Sequence, residues 1–335
     1  MVFGTHADPT AVWAERATSI RQKRMRSESD GHLAAASFPG LAVREAARRG
    51  TVRPLLQTAT NRYRPSVDDF LADSEKLRER SGWNASFVVR RVERIRAVDG
   101  GFEIDGDVRS PHVLVATGHP ALARIPGAVH AYEPHAYASR VAIIGAGMAA
   151  ATEWLNALDA GSEVVSIRRR EPLRRPLNLP RVYFSKRGLD GFHRLPRPQR
   201  AVSLHALATP SYPPGPEWDK PIQSALQDGR LRVVGRTADD PQSRAWAEQV
   251  IAATGFKAGF AEDPLLADLV AAHELETHER WILLNPDSTV PALTDDTRTL
   301  SLAGIAGQWA FPAADTIAGA KYAARAFLRR ICRTR

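Results

Sequence analysis

Residues 141–170 constrain this chain more than any other stretch. Val141 to Ile144 is an apolar run of the length of a buried strand. Gly145, Gly147 and Ala150 follow at G-x-G-x-x-A spacing. An amphipathic segment with Trp154, Leu155 and Leu158 on one side then runs to about Ala160. Gly161 stands where a helix C-cap asks for a left-handed residue, and Glu163 to Ile167 reads as a second strand. Strand, turn, helix and strand make a complete βαβ dinucleotide-binding unit. Gly145 permits the tight turn, Gly147 lets the backbone approach a pyrophosphate, and Ala150 allows close helix–strand packing. The helix start then offers unpaired N–H groups and a positive dipole end to the phosphates.

The second strand narrows the nucleotide. An NAD site carries Asp or Glu at its end to bind the ribose 2′-hydroxyl. Here Arg168, Arg169 and Arg170 stand there instead. A carboxylate repels a 2′-phosphate, whereas guanidinium groups bind it through charge-assisted hydrogen bonds. Arg168 and Arg169 therefore point to NADP(H). The competing reading is a glycine-rich turn without function followed by a solvated basic run. The common register of all four parts favours the nucleotide.

At 335 residues the chain is long enough for two domains. It holds no apolar run near the 18 or so residues of a membrane helix, and its first residues lack the basic and apolar regions of a signal peptide. Cys332 is the only cysteine, which excludes internal disulfides, thiol redox pairs and cysteine metal clusters. A cytoplasmic, metal-free protein is the default expectation. The net charge is +9, and 40 of the 46 basic residues are arginine. The densest patch, 168–200, sets eleven Lys or Arg against Glu171 and Asp190. No nucleic-acid-binding motif or periodic basic helix accompanies it. A nucleotide phosphate site plus a solvated face is expected, with no nucleic-acid partner.

Helices are expected over 9–24, with Asp8 capping Pro9, and over 65–80, closed by Gly82. Phe87–Ile95 and Gly101–Val108 read as period-2 strands, with Asp105-Gly106 a type I′ hairpin signal. Val113–Ala116, Leu231–Val234, Val250–Ala253 and Leu300–Ala303 read as further strands. Residues 171–221 read as loops and short helices, and 313–331 as a last helix. The second signal is a doubled Ala-Thr-Gly, at 116–118 and 253–255, on either side of the nucleotide unit. Small residues at a strand's carboxyl end let the chain pass close to a cofactor and change domain. A tripeptide common in any Ala-rich chain is the alternative.

In these residues the chain resembles the two-dinucleotide-binding-domain flavoproteins, and among them the NADPH-dependent flavin monooxygenases, including the amino-acid N-hydroxylases. In that family an NADPH domain is inserted into an FAD domain. Residues 116–118, 145–150, 168–170 and 253–255 match in order and spacing; Arg26-Ser27 and the helix start from Arg64-Pro65 to Phe70 match more loosely. The resemblance implies an α/β fold of two Rossmann-like three-layer domains. The FAD-type domain is discontinuous, 1–135 and 256–335, around an NADP(H) domain at 136–255. It places Thr117, Gly118, Thr254, Gly255, Gly304, Arg26 and Ser27 against the cofactors. The implied reaction takes a hydride from NADPH and puts one oxygen atom of O₂ on a small nucleophilic substrate. A flavin-free NADP(H)-binding relic that senses nucleotide or binds a partner is the alternative, and a homo-oligomer stays open. A disulfide reductase of related architecture lacks its cysteine pair here.

The chain departs from the family at its start. The sequence has no second G-x-G-x-x-G, and Met1–Gly4 resembles the tail of the family's next strand. The FAD-type domain thus reads as N-terminally incomplete by one βα unit, on the order of 30 residues. Three explanations stand: a true start further upstream, which is favoured; loss of FAD with NADP(H) kept; or a unit supplied by a partner chain. The expectation is that residues 1–335 hold FAD poorly. No acid or base is singled out. His32 and His119 read as surface loop histidines before flavin contacts, Trp309 and Phe311 as core or domain-interface aromatics, and Glu153 and Asp159 as solvated.

Overall fold

The computed structural model describes residues 1–26, 40–59, 63–175, 179–234 and 241–332. The first segment opens with β1 (Val2–Gly4) and continues through helices α1 (Ala11–Ser19), α2 (Leu41–Arg49), α3 (Arg53–Ala59), α4 (Val67–Arg80) and α5 (Trp83–Ser86). It then returns as β2 (Phe87–Val89), in parallel register with β1. The start of α4 follows its sequence signal: the Ser66 hydroxyl accepts the Asp69 N–H at 3.0 Å, and Asp68 and Asp69 occupy the first turn.

An antiparallel meander follows, β3 (Ile95–Val98), β4 (Gly101–Ile104) and β5 (Val108–Ser110). Asp105 (φ 49°) and Gly106 (φ 86°) are both left-handed, as a type I′ turn requires. The strand expected over 87–95 is instead interrupted after Val89. The Asp105 carboxylate accepts the N–H groups of Glu93 and Arg94 at 2.9 and 2.8 Å, taking donors that a sheet partner would use. β6 (His112–Val115) ends the segment at the first Ala-Thr-Gly.

The inserted unit runs through β7 (Val129–His130), β8 (Arg140–Ile144), α6 (Met148–Asp159), β9 (Glu163–Ile167) and β10 (Leu173–Arg174). It continues with α7 (Lys186–Arg194), α8 (Arg197–Leu207), β11 (Ser211–Tyr212), α9 (Asp219–Gln227), β12 (Leu231–Val233), α10 (Pro241–Trp246) and β13 (Gln249–Ala252). Five strands form one parallel sheet in the order β12-β9-β8-β13-β7. Val141 to Ile144 are all buried, as a central parallel strand covered on both faces requires. α6 packs its Ala150, Trp154 and Ala157 face, each fully buried, against Val141 and Ile143. The expected domain crossing was at 135/136; β7 already bonds into this sheet at 129–130.

Glu153 overturns its expectation. It is fully buried on α6, not solvated, and accepts hydrogen bonds from His135 Nε2 and the Tyr137 hydroxyl, both at 2.9 Å. Asp159, at the end of the same helix, is exposed as expected. The N-terminal segment docks on this helix too. Ile20 is buried in its core, and the Ile20 carbonyl accepts the Asn156 amide at 2.7 Å.

The chain finishes with α11 (Pro264–His273), β14 (Thr277–His278), β15 (Trp281–Ile282), β16 (Thr299–Leu302) and α12 (Ile317–Ile331). β16 pairs in parallel with β6, Thr299 beside His112 through Leu302 beside Val115. Trp309 and Phe311 are buried, as expected of core aromatics. α12 starts four residues later than expected. Gly319 approaches the Ala314 carbonyl so closely that a Cβ would lie 2.4 Å from it, and Thr316 caps the helix through the Gly319 N–H. No helix among the described residues is long and apolar enough to cross a membrane.

The His135–Glu153 pair makes stability depend on pH. Burial alone lowers the His135 pKa, but the hydrogen bond and charge of Glu153 outweigh it and the net shift is upward from 6.5. A raised folded pKa gives stability that is full below the unfolded value and lost as pH rises through the folded one. Denaturant unfolding should therefore show this contribution in full below the ordinary histidine value of about 6.5 and its loss as pH rises through the raised folded value, a slope that His135→Gln flattens. Glu153→Ala should cost about 3–5 kcal/mol by breaking a buried pair.

Candidate nucleotide site and inter-domain cleft

The glycine-rich turn sits where β8 meets the end of β13. Gly145 has φ 142°, and a Cβ there would lie 2.4 Å from the Ala253 carbonyl oxygen. The first glycine is thus required by a neighbouring strand end as well as by the turn, and that neighbour belongs to the second Ala-Thr-Gly. Gly147 is different. Its φ of −88° suits any residue, and a Cβ would meet nothing within 4 Å. The space over Gly147 is open, and with Met148 it borders a cleft of about 490 Å³. Ala150 is fully buried in the α6 core. The turn, the open space and the helix start match what a dinucleotide pyrophosphate needs.

The two Ala-Thr-Gly copies have the same geometry. Gly118 and Gly255 both turn at φ 74°. The linkers that leave them run antiparallel: the Ala123 N–H donates to the Gly255 carbonyl and the Lys257 N–H to the Ala121 carbonyl, each at 2.9 Å. The Thr254 hydroxyl donates to the Ala123 carbonyl. Gly118 also lies beside Gly304 (φ 63°), whose Cβ position is 4.0 Å from the Gly118 Cα. Thr117 and Gly118 are exposed at this meeting point. Gly118 and Gly147 line the same cleft.

An aromatic stack closes the crossing. His119 and Phe256 stack with centroids 4.2 Å apart, Tyr132 stacks on Phe256 at 5.4 Å, and the Arg16 guanidinium lies 4.6 Å from the Phe256 centroid. His119 is therefore not a surface loop histidine: it lines the cleft. Burial, aided by Arg16, pushes it down to about 4, so it is neutral near pH 7. Trp281, Ile282, Leu266 and Ile305 supply an apolar side of the cleft, which Asp315 also lines.

The arginines divide. Arg168 is tucked in: its side chain is 6 % exposed, lies 5.6 Å from the Trp154 ring and donates to Glu171 at 2.8–2.9 Å. Arg169 and Arg170 are exposed. Arg26 lines the cleft and holds Ser211, donating to its carbonyl and, at 2.8 Å, to its hydroxyl. Ser27 and His32 lie outside the described residues. Arg175, Ser211, Phe256, Trp281 and Asp315 border the cleft without having been singled out in the sequence. Only Phe256, next to the second Ala-Thr-Gly, carried a local signal. In the other half, Gly118 and Gly304 turn at strand ends. A G-x-G turn leading into a helix is found among the described residues only at Gly145–Met148.

No protein-family profile matches the chain, and no curated protein matches it in sequence. Solved structures do. The chain is similar over 98 % of its length to the ornithine hydroxylase of Pseudomonas aeruginosa, covering 91 % of that chain with a TM-score of 0.65 at 15 % identity. It is equally similar to an ornithine N-hydroxylase of Kutzneria sp. 744 solved with reduced FAD, NADP⁺ and L-ornithine, covering 98 % and 92 % of the two chains with a TM-score of 0.65 at 16 % identity. The bacillithiol disulfide reductase of Bacillus cereus aligns over 81 % of this chain and 79 % of its own, with a TM-score of 0.52 at 13 % identity. The fold is that of the two-domain dinucleotide-binding enzymes, an α/β architecture with parallel sheets.

The two glycines should separate fold from binding. Gly145→Ala drives a Cβ into the Ala253 carbonyl and should destabilise the protein by about 1–3 kcal/mol in a denaturant titration. Gly147→Val should leave the unfolding midpoint nearly unchanged while removing NADPH binding, because its side chain fills the space over the turn. Parental NADPH affinity in Gly147→Val would place the nucleotide elsewhere.

Proposed function

We propose that this chain is an NADPH-dependent flavin oxidoreductase of the monooxygenase kind, acting on a small nucleophilic substrate. One observation carries the reading: the open Gly147 turn and both left-handed Ala-Thr-Gly ends are locked together by the 119–128 and 253–259 linkers around one cleft. That arrangement suits a fold in which two dinucleotides meet end to end. The start of α6 at Gly147 and Met148 would hold the NADP(H) pyrophosphate. Arg169, exposed, and Arg168, beside Glu171, would hold the 2′-phosphate.

Flavin fits the described residues only in part. Thr117, Gly118 and Gly304 present small strand ends that would lie against it, with Thr254 and Gly255 fixing the crossing behind them. Its phosphates have no glycine-rich turn of their own among these residues. Bound flavin supplies the electron transfer between NADPH and O₂ that no side chain provides. The protein's part is orientation and the exclusion of water. The His119–Phe256–Tyr132 stack walls one end of the cleft, and Trp281 and Ile282 wall another.

Two measurements test the reading. NADPH oxidation with matched O₂ uptake should follow addition of FAD, and NADH should support it far less well. NADPH binding without any flavin-dependent O₂ uptake would reduce the chain to a nucleotide-binding protein. Arg169→Ala should weaken NADPH roughly tenfold or more, the worth of a charge-assisted hydrogen bond, and leave NADH nearly unchanged. Equal losses for both nucleotides would remove the arginines from the 2′-phosphate site.

A further inference from the structure

One wall of the cleft holds two guanidinium groups that no carboxylate among the described residues neutralises. Arg26, from the segment after α1, and Arg175, just after β10, converge on Ser211 of β11. Arg26 Nη2 and Arg175 Nε both donate to the Ser211 hydroxyl oxygen, at 2.8 and 3.1 Å. A hydroxyl has two lone pairs and one hydrogen. Both lone pairs are engaged here, so its O–H is left to donate. Arg26 Nε is buried and has no acceptor among the described residues. Arg175 spends Nη2 on the Thr209 carbonyl at 3.3 Å. The charges acting on Arg26 are those of Arg175 and Arg64; together with burial, the largest cause, they push it down to about 9. Burial also lowers Arg175, and no carboxylate among the described residues acts on either arginine. Asp315 lines the same cleft but forms no ion pair with either arginine. Two adjacent, half-buried cations without a counter-charge among the described residues are costly, and a bound anion reduces that cost.

We infer that Arg26, Arg175 and Ser211 form an oxyanion site in the inter-domain cleft, suited to a phosphate group. The donors left without an acceptor among the described residues are Arg26 Nε–H, the Nη1 end of the Arg175 guanidinium and the Ser211 O–H. These are three donors on two positive charges, which fit a dianionic tetrahedral oxyanion better than a monoanionic planar one. The site is distinct from Arg168–Arg170, which do not line this cleft. It also joins the two halves, because Arg26 comes from one and Arg175 and Ser211 from the other.

The test uses inorganic phosphate and the whole chain in a calorimetric titration at pH 7.5, without nucleotide, so it stands or falls separately from the NADPH reading. Phosphate should bind at one site per chain, and acetate more weakly. Arg175→Gln and Arg26→Gln should each lose about tenfold or more in phosphate affinity. Ser211→Ala, which removes only a hydroxyl and guards against a folding defect, should lose severalfold. Arg109→Gln, an exposed arginine paired with Glu103, should match the parent. No phosphate binding by the folded parent, or parental affinity in Ser211→Ala and both arginine variants, overturns the site. A further titration of NADP⁺ into the phosphate complex identifies the source. Displacement assigns the site to a nucleotide phosphate, and simultaneous binding assigns it to a phosphate on a second ligand; both results uphold it.

Discussion

The contact between Gly145 and the Ala253 carbonyl sets the position of nearly everything in the cleft. It brings the end of β8, which leads into the glycine-rich turn, against the end of β13, which leads out of the inserted unit. No side chain fits between them. From Ala253 the chain runs through Thr254 and Gly255 into the strip that pairs with residues 121–123, and through Gly118 that strip reaches β6 and its neighbour β16. A displacement at Gly145 therefore reaches the exits of both halves. The two Ala-Thr-Gly copies are small for a mechanical reason: four strand ends and two linkers converge where there is room for backbone and little else.

Electrostatics follow from this packing. The interior acids within each half are compensated: Glu153 by His135 and Tyr137, and Glu45 by Arg24, Arg49 and Tyr63. The cleft is not. Arg26 and Arg175 meet at Ser211 with no acid between them among the described residues, while His119 is held neutral beside Arg16. A basic chain can place surplus arginines anywhere on its surface at little cost. Placing two of them in a cleft, sharing one hydroxyl, is costly unless an anion joins them. The overall charge of +9 thus has a local meaning here that composition alone does not carry.

What could be read from the sequence was what short range dictates. β9 falls at Glu163–Ile167 as read, Gly161 turns left-handed (φ 85°) after α6, and Asp105-Gly106 makes its hairpin, because period, cap and turn chemistry are local. The G-x-G-x-x-A spacing located the open turn. The reading failed where partners are distant. Glu153 looks solvated on a helical wheel, and only His135 and Tyr137, 18 and 16 residues upstream, make its burial tolerable. Ser211 and Arg26 are 185 residues apart. The helices α2 and α3 drew no assignment, being short and interrupted by Gly50.

The most direct test of the central claim is hydrogen–deuterium exchange of the whole chain with and without NADP⁺. Amides of 145–151 should slow on binding as the pyrophosphate covers the start of α6, and peptides over 168–171 should slow with NADP⁺ but much less with NAD⁺. Protection confined to other segments, with 145–151 exchanging as in the free protein, would contradict the assignment of this turn as the nucleotide site.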